Sequence, residues 1–147
     1  MGGSAVAAAL GALGLLALAG SDLPLETVAA GEQSGVRDAR QLVVRAPEDW
    51  EQLWQEHAPR QPIPKVDFGE RMVVGLFLGT RPTSGFAVRV TRARLAGQDL
   101  VIEYAERRPS ANAMVMPVIT SPFQLVSLPK RAGEIRFEPV FAASPMR

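Results

Sequence analysis

Met72-Val-Val-Gly-Leu-Phe-Leu-Gly-Thr-Arg-Pro-Thr-Ser-Gly-Phe-Ala-Val-Arg-Val-Thr91 is the stretch that decides the fold. Its first part, Arg71 to Leu78, is apolar on both alternating faces, which suits a central strand covered on both sides; Gly75 marks a bulge or a close neighbour. From Phe86 the pattern changes: Phe86, Val88 and Val90 alternate with Ala87, Arg89 and Thr91, a half-buried strand. Between the two, Pro82 presets φ for a turn and Gly85 supplies a left-handed position. The spacing therefore predicts a β-hairpin within an all-β domain.

Strand patterns continue downstream. Ala96-Gly97-Gln98 turns the chain into Leu100, Ile102 and Tyr104, which alternate with Val101, Glu103 and Ala105. Glu106 to Ala113 is a polar loop. Met114 to Ile119 is apolar but contains Pro117, so it reads as an edge or bulged strand. Phe123 to Leu128 and Glu134 to Val140 complete the set. Upstream, Val36 to Arg45 reads as a strand centred on Gln41 to Arg45. One helix is expected, Pro47 to His57, with Pro at its first position and acids in its first turn. Its Trp50, Leu53, Trp54 and His57 fall at i, i+3, i+4 and i+7, a single face. Ala58-Pro59 ends it, and Pro62 and Pro64 keep the following loop out of a sheet interior. Turns every ten residues or so predict a mainly β fold: a twisted antiparallel sheet forming a sandwich or partial barrel, with the amphipathic helix packed on it.

The first residues read differently. Ala5 to Ala19 is an uninterrupted run of Ala, Val, Leu and Gly, too short and weakly hydrophobic for a spanning helix, and Ala17-Leu18-Ala19 offers a small-x-small cleavage pattern. Residues 1–19 are expected to be a signal peptide, 20–32 a linker and 33–145 the β domain. That places the domain outside the cytoplasm, periplasmic or secreted. Membrane attachment is expected only if the leader stays uncleaved. Cysteine is absent, which excludes disulfides, thiolate metal sites, cysteine nucleophiles and lipid attachment at a lipobox. With 47% hydrophobic residues, a domain of roughly 115 residues can stand on its core alone. A net charge of +1 is far from the basic balance of a nucleic-acid surface.

No residue constellation points to catalysis. The one histidine, His57, sits on the apolar helix face and reads as a helix-end residue near the negative end of the dipole. No nucleophile elbow, His-Glu-x-x-His pair, phosphate-cradling loop or calcium loop occurs, and no cofactor or metal is expected. Arg89, Arg92, Arg94, Arg107 and Arg108 could gather as a patch for an acidic partner or stand as solvated outward side chains. The candidate binding elements are two turns. Arg81, Pro82, Thr83, Ser84, Gly85 and Phe86 form a stiff loop that presents hydroxyls and backbone amides at low entropic cost; equally, it reads as an ordinary turn. Thr120, Ser121, Pro122 and Phe123 form a second turn, placed beside the first if both lie at one end of the sheet.

Several of these pieces occur together in a known family. Trp50-x-x-x-Trp54, Phe68-x-x-Arg-Met-Val-Val74, Leu78-Gly-x-Arg-Pro-Thr-Ser-Gly-Phe86, Thr120-Ser-Pro-Phe123 and Leu128-Pro-Lys130 resemble the C-terminal domain of protease complex subunit PrcB, over roughly residues 41–140. The resemblance implies an extracytoplasmic, non-catalytic accessory domain whose expected partner is a protein, in the first instance a protease. This chain carries Phe86 where the family often has Tyr, and it lacks the cysteine that makes some members lipoproteins. Pro82-Thr-Ser-Gly-Phe86 is also similar to the Pro-Thr-Thr-Gly-aromatic loop of chagasin-type cysteine-protease inhibitors. Inhibition through Arg81–Phe86 is therefore the alternative expectation, although the other two inhibitory loops of that family have no counterpart here.

Overall fold

A computed structural model describes residues 22–141; the expected leader lies outside that range. Among the described residues, seven strands and one helix follow in order: β1 (Glu26–Gly31), β2 (Arg40–Val44), α1 (Pro47–His57), β3 (Arg71–Phe77), β4 (Ala87–Ala96), β5 (Asp99–Arg107), β6 (Phe123–Pro129) and β7 (Ile135–Pro139). They form a four-stranded sheet in the order β1-β6-β3-β2 and a three-stranded sheet in the order β4-β5-β7. The fold is thus mainly β, two sheets with one short helix, as the residue patterns predict.

The doubly apolar β3 explains the layering. Met72, Val74 and Leu76 join Val88, Val90, Ala93, Leu100, Ile102, Val126 and Leu128 in the core between the sheets. Its intervening residues, Val73 and Phe77, face the other way with Leu125 and Phe123 of β6, against Trp50, Leu53 and Trp54 of α1. A strand buried on both faces favours apolar residues at every position, and β3 after Arg71 shows this from Met72 to Phe77. Gly75 is the close-neighbour position: a Cβ there would lie 2.9 Å from Leu125 Cδ2 and 3.1 Å from Leu42 Cδ1. The helix has the expected bounds and buries the expected face. The Trp50 and Trp54 indoles donate to Pro64 O (3.0 Å) and Gln61 O (2.9 Å), so the proline-rich loop is strapped over the helix.

Four expectations change. β3 and β4 are not a hairpin: both edges of β3 are taken by β2 and β6, so the chain after Leu78 crosses to the second sheet. The tight hairpin is β4–β5, turned at Gly97 with φ +67°. The segment read as linker supplies β1, which pairs with β6 because that edge of the sheet is otherwise open. Met114–Ile119 is not a strand, since Met116 spends its N–H and C=O on Ser84 and Pro117 has no N–H to give. Finally, β7 runs parallel to β5. It reaches the second sheet only after β6 has crossed the first, and parallel neighbours require such a long crossover.

One buried polar residue ties the sheets together. The β4–β5 register shifts between Val90 and Arg92, a bulge. Gln124 of β6, buried between the sheets, accepts the Val90 N–H through Oε1 at 2.6 Å and donates from Nε2 to Thr27 Oγ1 at 3.0 Å. Gln124→Leu strands the Val90 donor in the core. The expected loss is about 1–3 kcal/mol, read as a lower urea midpoint with unchanged slope.

Candidate binding site

The two candidate turns meet. Arg81 and Thr120 exchange backbone hydrogen bonds (Arg81 N to Thr120 O, 2.7 Å; Thr120 N to Arg81 O, 2.9 Å), and Thr120 Oγ1 donates to Thr83 O at 2.9 Å. Upstream, Leu78 N donates to Pro122 O at 3.0 Å, so the crossing loop from Leu78 to Ser84 runs beside the segment that leads into β6. Gly85 takes φ +100°, a conformation that favours glycine, and its open Cβ position lies 3.0 Å from Pro109 Cβ and 3.4 Å from Val115 Cγ1. The β3–β4 and β5–β6 connections therefore close on each other at this end of the sandwich.

The ten candidate residues have different exposures. Pro82 is exposed; Arg81, Thr83, Ser84, Gly85 and Phe86 are half-buried. Phe86 packs against the inter-sheet core, and the Arg81 guanidinium lies 5.5 Å from its ring centroid. Arg81 also reaches Glu106 Oε2 at 3.3 Å. Thr120, Ser121, Pro122 and Phe123 are buried. Ser121 instead braces the chain before β2, accepting from Ser34 N and donating to Glu32 O. The second turn thus supports the first, and what the assembly offers to solvent is Pro82 with the neighbouring 114–119 segment. That segment's role escaped sequence reading because its apolar pattern is the pattern of a strand; only the Ser84 contacts, thirty-two positions away, divert it.

His57 is a packing residue with one polar contact. It is 4% exposed, and Phe123 and Trp54 present their rings edge-on at 4.3 and 4.8 Å between centroids. Ser34 Oγ lies 2.8 Å from Nδ1 and accepts the Val36 N–H at 2.9 Å. No local spacing could reveal Ser34, which the fold brings in from 23 residues away. Ser34 is buried together with the ring. Burial holds the imidazole below its ordinary value near 6.5, because desolvation penalises the charged ring.

The sign of the pH effect follows. Below about pH 6.5 the unfolded chain binds a proton that the folded chain refuses. Stability is therefore full above neutrality and declines as pH falls from 6.5 toward the depressed folded value, with a limiting slope of about 1.4 kcal/mol per pH unit. Asp38 and Glu56, each held low chiefly by hydrogen bonds from Arg40, lose their contribution only at more acid pH. Urea midpoints between pH 5 and 8 should fall on the acid side for the parent protein, and His57→Phe should flatten that dependence.

Of the five candidate arginines, Arg92 and Arg94 are neutralised within the second sheet. Arg92 pairs with Asp22 at 2.9 Å, and Arg94 with Glu103 at 2.6 Å and Glu138 at 3.2 Å, so the outer face of the second sheet is a ladder of alternating charge. Arg40 is clamped bidentately by Asp38 and by Glu56, which fastens the end of α1 to the start of β2. Among the described residues, no cluster of His, Cys, Asp and Glu could hold a metal ion, and no helix is long and apolar enough to cross a membrane.

Fold and site define a two-sheet β domain with a helix capping one sheet and a braced loop assembly at one end. Residues 72–129 match the family model described as PrcB C-terminal, the family that the sequence motifs resemble. The matched span runs from β3 through β6 and includes both candidate turns. No curated protein and no solved structure matched the chain.

Proposed function

We propose that this protein is an exported, non-catalytic binding module, an accessory subunit that docks on a protease or another envelope protein. The observation that carries the reading is the Arg81–Thr120 pair of backbone bonds, which welds the two turns into one stiff end with Pro82 outermost. A surface that is already ordered loses little conformational entropy on binding. The PrcB match supports association with a protease complex, and the Ala5–Ala19 run supports export. Burial of His57 and Ser34 supports a role without chemistry.

Inhibition in the chagasin manner would use an aromatic at the loop end as a wedge. Phe86 instead packs on the core beneath Arg81, so docking without obstruction of the partner's cleft is the favoured form. Mild extraction from the native cells and co-purification test the docking. The protein is expected to elute with an envelope protein that cleaves peptide substrates at an unchanged rate. Pro82→Glu should lower that recovery at least fivefold while leaving the melting temperature alone. Elution of the mature protein by itself would overturn the proposal.

A further inference from the structure

The apolar segment next to the braced turns is unusually exposed for its composition. Met114, Met116 and Ile119 are 98%, 65% and 62% exposed, and Val115 and Val118 also stand at the surface. Six consecutive residues thus carry five solvent-facing large apolar side chains, the kind of contiguous patch that marks an interaction site. The segment is nevertheless held in place. Ser84 donates its N–H to Met116 O at 3.1 Å and accepts the Met116 N–H at 2.9 Å, Val118 N closes back on Met116 O at 2.8 Å, and Val115 packs against Gly85. It is a fixed ridge, with side chains that are either flexible thioethers or branched aliphatics.

Its flank is basic. Arg107 and Arg108 lie at the end of β5 and just beyond it, immediately before Pro109, which packs on Gly85 beside Val115. Glu106 at this end is shared between Arg81 at 3.3 Å and Arg108 at 3.8 Å, which leaves the three arginines in excess of it, and the Arg108 side chain stays 69% exposed. We propose that the Met114–Ile119 ridge seats in an apolar cleft of a protein partner whose rim is acidic, facing Arg107 and Arg108. This rests on the docking role above and names the chemistry of the surface that is docked upon. A protein cleft suits the ridge better than a lipid surface does. The ridge has no Trp, Tyr or Phe to lie at a headgroup boundary, and two arginines are a small basic cluster for an anionic leaflet. Methionine, by contrast, adapts to irregular apolar pockets.

The test is a photocrosslink from the full chain in its native cells, with benzoylphenylalanine in place of Met116 or, as a control at the far end of the β4–β5 hairpin, of Gln98. The expected result is a protein adduct, identified by mass spectrometry, from position 116 at least tenfold above position 98. Adding Met114→Asp and Ile119→Asp should reduce that adduct at least tenfold, and Arg107→Glu with Arg108→Glu at least threefold, with melting temperatures unchanged. An adduct with lipid, an adduct with a second copy of this chain, equal yields at both positions, no adduct, or insensitivity to the arginine reversals overturns the proposal. The two readings separate cleanly. A non-protease adduct at 116 upholds the ridge and sinks the protease assignment, whereas a protease captured only through position 98 upholds docking and overturns the ridge.

Discussion

Phe123→Ala is expected to cost about 3–5 kcal/mol, among the largest losses any single change in this chain would cause. Phe123 opens β6, is 7% exposed, and stacks on Phe77 at 6.3 Å between centroids while facing His57 edge-on. Truncation leaves a cavity between α1 and the four-stranded sheet, lined by rings that cannot collapse into it. It also removes the contact that Phe123 makes beneath Gly31 at the β1 edge, so β1 should fray first. Chemical denaturation would register the loss, and hydrogen exchange should show lowered protection at Thr27–Gly31. A loss under about 0.5 kcal/mol, the scale typical of surface substitutions, would mean that Phe123 is turned to the surface and free to meet a partner.

Trp54→Ala should be equally costly, about 3–5 kcal/mol, for two physical reasons. The indole is buried against Trp50 at 5.5 Å and His57 at 4.8 Å, and its Nε1 donates to Gln61 O, closing the proline-rich loop. Trp54→Phe separates these contributions. It keeps most of the packing and loses the hydrogen bond, whose net worth is about 0.5–1.5 kcal/mol, so an intermediate destabilisation is expected. Protease nicking near Gln61 should rise in both variants, since the strap over α1 depends on that bond. Equal stability of the Phe variant and the parent would show that the strap holds without it.

Together with Gln124→Leu, these changes affect the interior, whereas Pro82→Glu and the ridge substitutions act only at the surface. A binding defect without a stability defect is the signature expected of the second group alone. The contrast matters because the turn Thr120–Phe123, a candidate contact by its chemistry, is buried support in the fold. Substitutions there are expected to act on the proposed docking only indirectly, through the lost brace on Arg81 and Thr83.

Local pattern was enough to determine much of this protein. Trp50, Leu53, Trp54 and His57 recur at helical spacing, Pro47 starts the helix and Ala58-Pro59 ends it, so α1 could be bounded from neighbouring residues alone. β3 could be recognised as covered on both faces because burial on both faces removes polar residues from the strand itself. What only the tertiary structure decided depends on partners distant in sequence. Whether β3 continues into a hairpin depends on β2 and β6 already holding its edges. Whether 26–31 is linker or strand depends on the open edge of β6. Whether 114–119 enters a sheet or stands as a ridge depends on Ser84, and which candidate turn faces solvent depends on the Arg81–Thr120 bonds. A strand's periodicity records which faces are apolar, but its edges carry only backbone groups, identical at every residue except proline. Pairing, and with it the shape of the braced end, is therefore set by the assembled fold.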